Sequence, residues 1–158
     1  MNKTQFWLIL GCCVIALAAQ AQGQHRKPGL WEVTSQMSMS GGPQNMPQMP
    51  PRTSQVCVTQ AMIDKYGGPY SNPPQSQCQI TNMSMSATGM SANLTCSGRA
   101  NMTGTVQTTF VDENTTKTTV QMSMAMGSNT MNMTMVSTAM YKGPDCGSVQ
   151  PLALPPSK

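Results

Sequence analysis

The sequence predicts an all-β domain: an antiparallel β-meander, strongly curved or barrel-like, carrying one short helix and two disulfides. Three observations predict it. Val120, Met122, Met124 and Met126 fall on alternate positions, as do Met131, Met133 and Met135 after Gly127-Ser128-Asn129-Thr130. Strict alternation marks half-buried strands, because successive side chains point to opposite faces. Several more alternating runs follow one another, separated by short turn signals. Finally, Cys57, Cys78, Cys96 and Cys146 form an even set behind an export-type leader, and that combination reads as two disulfides.

The hairpin from Thr116 to Tyr141 is the best-specified element. Folding back at Ser128-Asn129 pairs Gly127 with Thr130 and sets Met126 opposite Met131, Met124 opposite Met133 and Met122 opposite Met135. The methionines then share one face, while Gln121, Ser123, Asn132 and Thr134 line the other.

Residues 1–21 read as a signal peptide. Lys3 supplies the positive charge, Phe6 to Ala18 the apolar stretch and Ala19-Gln20-Ala21 the small-residue cleavage box. The apolar run is too short for a comfortable membrane-spanning helix, so no transmembrane segment is expected after signal removal. A competing reading makes Ile9-Leu10-Gly11-Cys12 a lipoprotein box with Cys12 lipidated, at the expense of the apolar stretch behind it. The expected location is periplasmic. Residues 22–146 form a single β-domain, and 147–158, with Pro151, Pro155 and Pro156, a flexible tail.

Within the domain, Pro28-Gly29 is a turn signal, and Trp31, Val33, Ser35, Met37 and Met39 alternate as a first strand. Gly41 to Pro51 is a proline-rich loop holding Met46 and Met49, and Arg52 to Val58 is a short second strand. Thr59 can cap a brief helix through Tyr66, stopped by Gly67-Gly68. Gln79–Met85 and Met90–Cys96 form a hairpin at Thr88-Gly89, with Met83 facing Leu94 and Met85 facing Ala92. Met102–Val111 pairs with Thr115–Met126 around Asp112-Glu113-Asn114, placing Val106 opposite Val120 and Phe110 opposite Thr116. The final strand runs from Thr130 to Tyr141, and Gly143-Pro144-Asp145-Cys146 pins it. Such a sheet has one apolar face that must be covered, by curling into a barrel-like shell or folding over the helix.

The strand phase bears on the cysteines. Cys78 has the opposite parity to Met83, which disfavours a Cys78–Cys96 link across the hairpin. The preferred pairing is Cys57–Cys78 and Cys96–Cys146.

Composition excludes more than it assigns. The charge is +4 with nine basic and five acidic residues, all scattered, whereas nucleic-acid binding needs clustered Lys and Arg. Leu, Ile, Val and Phe fall under the roughly 20% that flags disorder, but the high net charge of disordered chains is missing. The 17 methionines fill that deficit, since methionine packs as a flexible hydrophobe.

The residues resemble a known family. Lys27-Pro28-Gly29-Leu30-Trp31-Glu32-Val33 is similar to its opening Gly-Leu-Trp-Glu motif. Cys57-Val58-Thr59 after a Met/Pro-rich loop, Thr95-Cys96-Ser97-Gly98, the Met133-Thr134-Met135 segment and Asp145-Cys146 resemble it too. It is the exported proteobacterial family catalogued as domain of unknown function 3617. The resemblance covers nearly the whole mature chain. It implies a small periplasmic β-domain, and it brings no established activity or catalytic residues.

Catalytic chemistry has little to work with. His25 is the one histidine and lies in the polar lead, and the acids form no constellation able to support acid–base or triad chemistry. We therefore expect no enzyme and no cofactor, but a binding or envelope-associated interaction protein. The alternative is a Cu(I)- or Ag(I)-binding protein, because thioethers select soft ions. The hairpin methionines read as core, since their phase matches Val106, Val120 and Phe110. The candidate metal site is instead Met39, Met46 and Met49, set against the plainer reading that a Met-Pro loop lies on the surface. A third reading has the methionine face lining a cavity for a small apolar ligand.

Overall fold

A computed structural model describes residues 26–41, 49–69, 77–97 and 101–151. The segment read as a signal peptide, with Cys12, the lead with His25, the loop position Met46 and the last tail residues lie outside them.

Seven strands and one helix follow in the expected order: β1 (Gly29–Ser40), β2 (Arg52–Val58), α1 (Gln60–Tyr66), β3 (Gln77–Met85), β4 (Gly89–Ser97), β5 (Met102–Phe110), β6 (Thr115–Met126) and β7 (Asn129–Gly143). They form one antiparallel sheet in the order β2-β1-β7-β6-β5-β4-β3. From β3 to β7 this is the expected meander. The closing step is the long return that lays β7 beside β1, with Met39 opposite Met133 and Trp31 opposite Tyr141. The barrel-like expectation needs correction. β2 and β3 end the strand order as two separate edges, so the sheet is open.

The hairpin register also needs correction. Met126 pairs with Asn129, so Met124 faces Met131, Met122 faces Met133 and Val120 faces Met135. The loop is Gly127-Ser128, with Gly127 at φ +63°. Two-residue hairpin loops place glycine at such a left-handed position because other residues meet a Cβ clash there. The slip from expectation is two residues along the partner strand. A shift of two leaves every side chain on its face, and the methionines still share one side. The β5–β6 register matches expectation, with Val106 opposite Val120 and Phe110 opposite Thr116. Asp112 holds that turn by accepting from the Asn114 backbone N–H at 2.7 Å.

The β3–β4 phase is different. Asn82 adopts φ +51°, and the register shifts between Thr81 and Ser84. This bulge inserts one residue and flips the parity of everything before it. Ile80 therefore faces Leu94, and Cys78 faces Cys96. Met85, after the bulge, keeps the inner face but stands opposite Met90 rather than Ala92, and Met83 and Met85, at this edge of the sheet, are 39% and 46% exposed. The disulfides follow the true phase: Cys78 joins Cys96, and Cys57 joins Cys146. Both pairings in the sequence reading, Cys57–Cys78 and Cys96–Cys146, are overturned. The chain stays beside β2 beyond Cys146, where Pro151 bridges Cys57.

Helix α1 forms where the sequence placed it. Thr59 is its N-cap, accepting from the Met62 N–H at 3.3 Å, and Gly67 in the left-handed region closes it by donating to Ile63 O at 2.7 Å. Met62, Ile63 and Tyr66 are the buried residues of this helix. Met62 and Ile63 pack with Trp31, Val58 and Ala139 into the first core cluster. Trp31 is fully buried, donates from its indole N–H to Lys27 O at 3.0 Å, and meets Tyr141 edge-on at 5.5 Å. The second cluster centres on Leu94, Cys96 and Met122.

Candidate functional site

Read across the strands, the inner face is a series of rows. Nearest the helix lie Val33, Ala139, Thr116 and Phe110. Next comes a hydroxyl row, Ser35, Ser137, Thr118 and Thr108. Ser35 and Ser137 share a hydrogen bond of 2.8 Å, and Thr108 and Thr118 one of 3.0 Å. Pairing with one another lets these hydroxyls sit on an inward face without stranding a polar group. Beyond them run Met37, Met135, Val120, Val106 and Ala92.

The last two rows carry the site. One reads Met39, Met133, Met122, Gly104, Leu94, Ile80 across six strands. The other reads Met131, Met124, Met102, Cys96, Cys78, an unbroken line of sulfur. Between them opens a cleft of about 160 Å³, lined by Met39, Met102, Met122, Met124, Met131 and Met133 together with Ser123. Met122 is 8% exposed. Met39, Met102, Met124, Met131 and Met133 are half-buried.

Gly104 shapes this region. A Cβ at Gly104 would stand 2.0 Å from Gln121 O and 2.9 Å from Met122 Cα. The β5 backbone therefore approaches β6 more closely than any side chain permits, and the cleft row has a gap beside Met122. On the polar face, Thr105, Gln121, Ser123, Asn132 and Thr134 help line a broader hollow of about 650 Å³, which also has no titratable side chain. There Ser123 donates to Asn132 Oδ1 at 2.8 Å.

Of the loop trio singled out by sequence, Met39 lies in the cleft, whereas Met49 is 38% exposed and absent from its lining. Met39 joins the hairpin methionines there, of which Met122 is core, as expected, and Met133 packs against its cluster. The overlooked signal is compositional. On β1, β6 and β7 the row nearest the helix holds Val33, Ala139 and Thr116, and methionine takes over toward the Gly127 turn, while on β3 and β4 Met85 and Met90 continue the Thr108 row.

The acidic groups are engaged elsewhere. Glu32 pairs with Lys142 at 3.5 Å, Glu113 with Lys27 at 3.2 Å, and Asp64 accepts from Gln60 at 2.8 Å. Asp145 accepts from the Gly147 N–H at 2.8 Å. Arg26 is 8% exposed and stacks 3.3 Å over Phe110. Its Nε and one Nη have no hydrogen-bond partner, and burial lowers its pKa. Among the described residues, no three or more His, Cys, Asp or Glu cluster to hold a metal ion, and no helix is long and apolar enough to cross a membrane.

No curated protein and no solved structure matches the chain. A family model does, over residues 26–146, from the opening Arg26 to the disulfide-bonded Cys146. The chain belongs to the family described as Protein of unknown function (DUF3617).

Proposed function

We propose that this is a non-enzymatic binding protein of the periplasm, and that the methionine cleft holds its ligand. The observation that carries the reading is the lining itself. Six methionines from β1, β5, β6 and β7 converge on one small, almost wholly apolar opening. Thioether surfaces are pliable and polarizable, suited to a small apolar ligand or a soft ion rather than to a hard, strongly hydrated one. The engagement of all five acids in ion pairs, turns and a helix contact supports a role without acid–base catalysis. Two disulfides and the export-type leader support an oxidising compartment outside the cytoplasm.

Methyl-labelled methionine NMR tests this. Benzene, xenon and Ag(I), added separately to the oxidised protein, serve as small apolar and soft-ion probes. Saturable shifts at the cleft methyls, with Met62 unmoved, are expected for at least one. No saturable response to any of the three would overturn the binding reading.

A further inference from the structure

We infer that the cleft is a site for a soft monovalent metal ion, Cu(I) or Ag(I), whose central donors are Met122, Met124, Met131 and Met133. The inference rests on the binding reading above and names its ligand. Met124 stands directly opposite Met131, and Met122 directly opposite Met133. The four occupy neighbouring positions of one hairpin face, two per strand. Directly opposed residues hold their Cβ atoms about 4.5–5.5 Å apart, and each thioether has three rotatable bonds with which to turn inward. Four sulfurs can therefore close on one point in the existing opening. Met102 flanks the block beside Met124, and Met39 flanks it beside Met133.

The donor chemistry selects the ion. All the lining sulfurs are neutral thioethers, and no carboxylate or imidazole lines the cleft. Hard ions and the usual zinc donors find nothing there, whereas Cu(I) and Ag(I) take sulfur and shed water readily. A single positive charge in such a setting asks less desolvation than a divalent one. Plain packing places Met122 in the cluster with Leu94 and Cys96, and Met102 and Met133 against it, but leaves the choice of methionine unexplained. The same face uses Val106, Val120, Ala92 and Leu94 nearby, yet every side chain at the opening's rim but Ser123 is methionine. Gly104 keeps a further side chain out of the adjoining place in the row.

The test titrates the oxidised mature protein, residues 22–158, with Cu(I) against a competing chelator, and with Ag(I), at neutral and acidic pH. Binding is expected to be tighter than about 1 μM and to persist in acid, since thioethers carry no proton. Sulfur should be the only first-shell scatterer in X-ray absorption. Met122→Leu/Met133→Leu and Met124→Leu/Met131→Leu keep the bulk and lose the sulfurs. Each should weaken binding on the order of 100-fold, or roughly tenfold per donor removed. Met46→Leu/Met49→Leu should leave it unchanged. Weaker binding than that threshold by the wild type, or undiminished binding by both hairpin variants, would overturn the site. If benzene or xenon shifts the cleft methyls while neither ion binds, the metal inference falls and the binding reading stands. If none of these probes binds, both fall.

Discussion

Replacing Gly104 by alanine should destabilise the domain, against the usual sign of that change in a strand. Glycine in a strand interior ordinarily costs roughly 0.5–1 kcal/mol relative to alanine, so an unobstructed site would gain. Here the new Cβ would lie 2.0 Å from Gln121 O and 2.9 Å from both Gln121 C and Met122 Cα. Every obstructing atom is backbone on β6, so no side chain can swing away. Restoring ordinary contact near 3.4 Å requires β5 and β6 to part by more than 1 Å locally. At least two ladder hydrogen bonds would stretch beyond useful length, each worth about 1 kcal/mol net. Strain of overpacking adds about 1–3 kcal/mol. The expected loss is therefore about 3 kcal/mol, a large share of the stability of a small domain. Urea denaturation of the oxidised protein measures it, with Gly143→Ala as control, because a Cβ there meets nothing within 4 Å. A Gly104→Ala variant as stable as the wild type would refute the close β5–β6 approach.

Non-reducing peptide mapping should recover Cys57 joined to Cys146 and Cys78 joined to Cys96. With partners separated by 89 and 18 positions in sequence, loop closure predicts losses of about 4.6 and 3.2 kcal/mol for the respective Cys→Ser pairs. Recovery of Cys57–Cys78 would show the bulged phase of β3 to be wrong. Met62→Ala should cost about 2–5 kcal/mol because Met62 is fully buried, whereas half-buried Met124→Ala should cost under about 1.5 kcal/mol; equal losses in denaturation would contradict the two-part core. Asn82→Val should cost about 1–2 kcal/mol, because φ +51° suits few β-branched residues, while Asn82→Gly should cost nearly nothing. Equal stability of those two variants would remove the bulge.

Alternation let the strands, and the faces of all but the start of β3, be read from residues alone, and Thr59 with Gly67-Gly68 gave the helix. What failed was information that alternation cannot hold. A methionine at every second position from 122 to 126 and from 131 to 135 gives the same facing pattern after a two-residue slip. The register was therefore decided by where Gly127 takes its positive φ. The cysteine pairing failed for a related reason. One inserted residue at Asn82 reverses parity upstream, and the only local trace is that asparagine tolerates the left-handed region. Barrel versus open sheet depends on whether β2 meets β3, a contact between distant segments that no local pattern encodes. The cleft was half-legible. Of the expected trio Met39, Met46 and Met49, Met39 lines the cleft, Met49 is exposed and Met46 lies outside the described residues. Gly104, an isolated glycine inside a strand, is a sign of close backbone approach beside the cleft.

The account turns on six methionine side chains sharing one cleft apart from the helix-covered core. Methyl NOE spectroscopy on protein labelled at the methionine methyls tests that directly. Cross-peaks linking Met124 to Met131 and Met122 to Met133 are predicted, with Met102 and Met39 joined to the same network and Met62 isolated from it. Cross-peaks pairing Met124 with Met133 and Met122 with Met135 instead, or Met62 within the network, would contradict it.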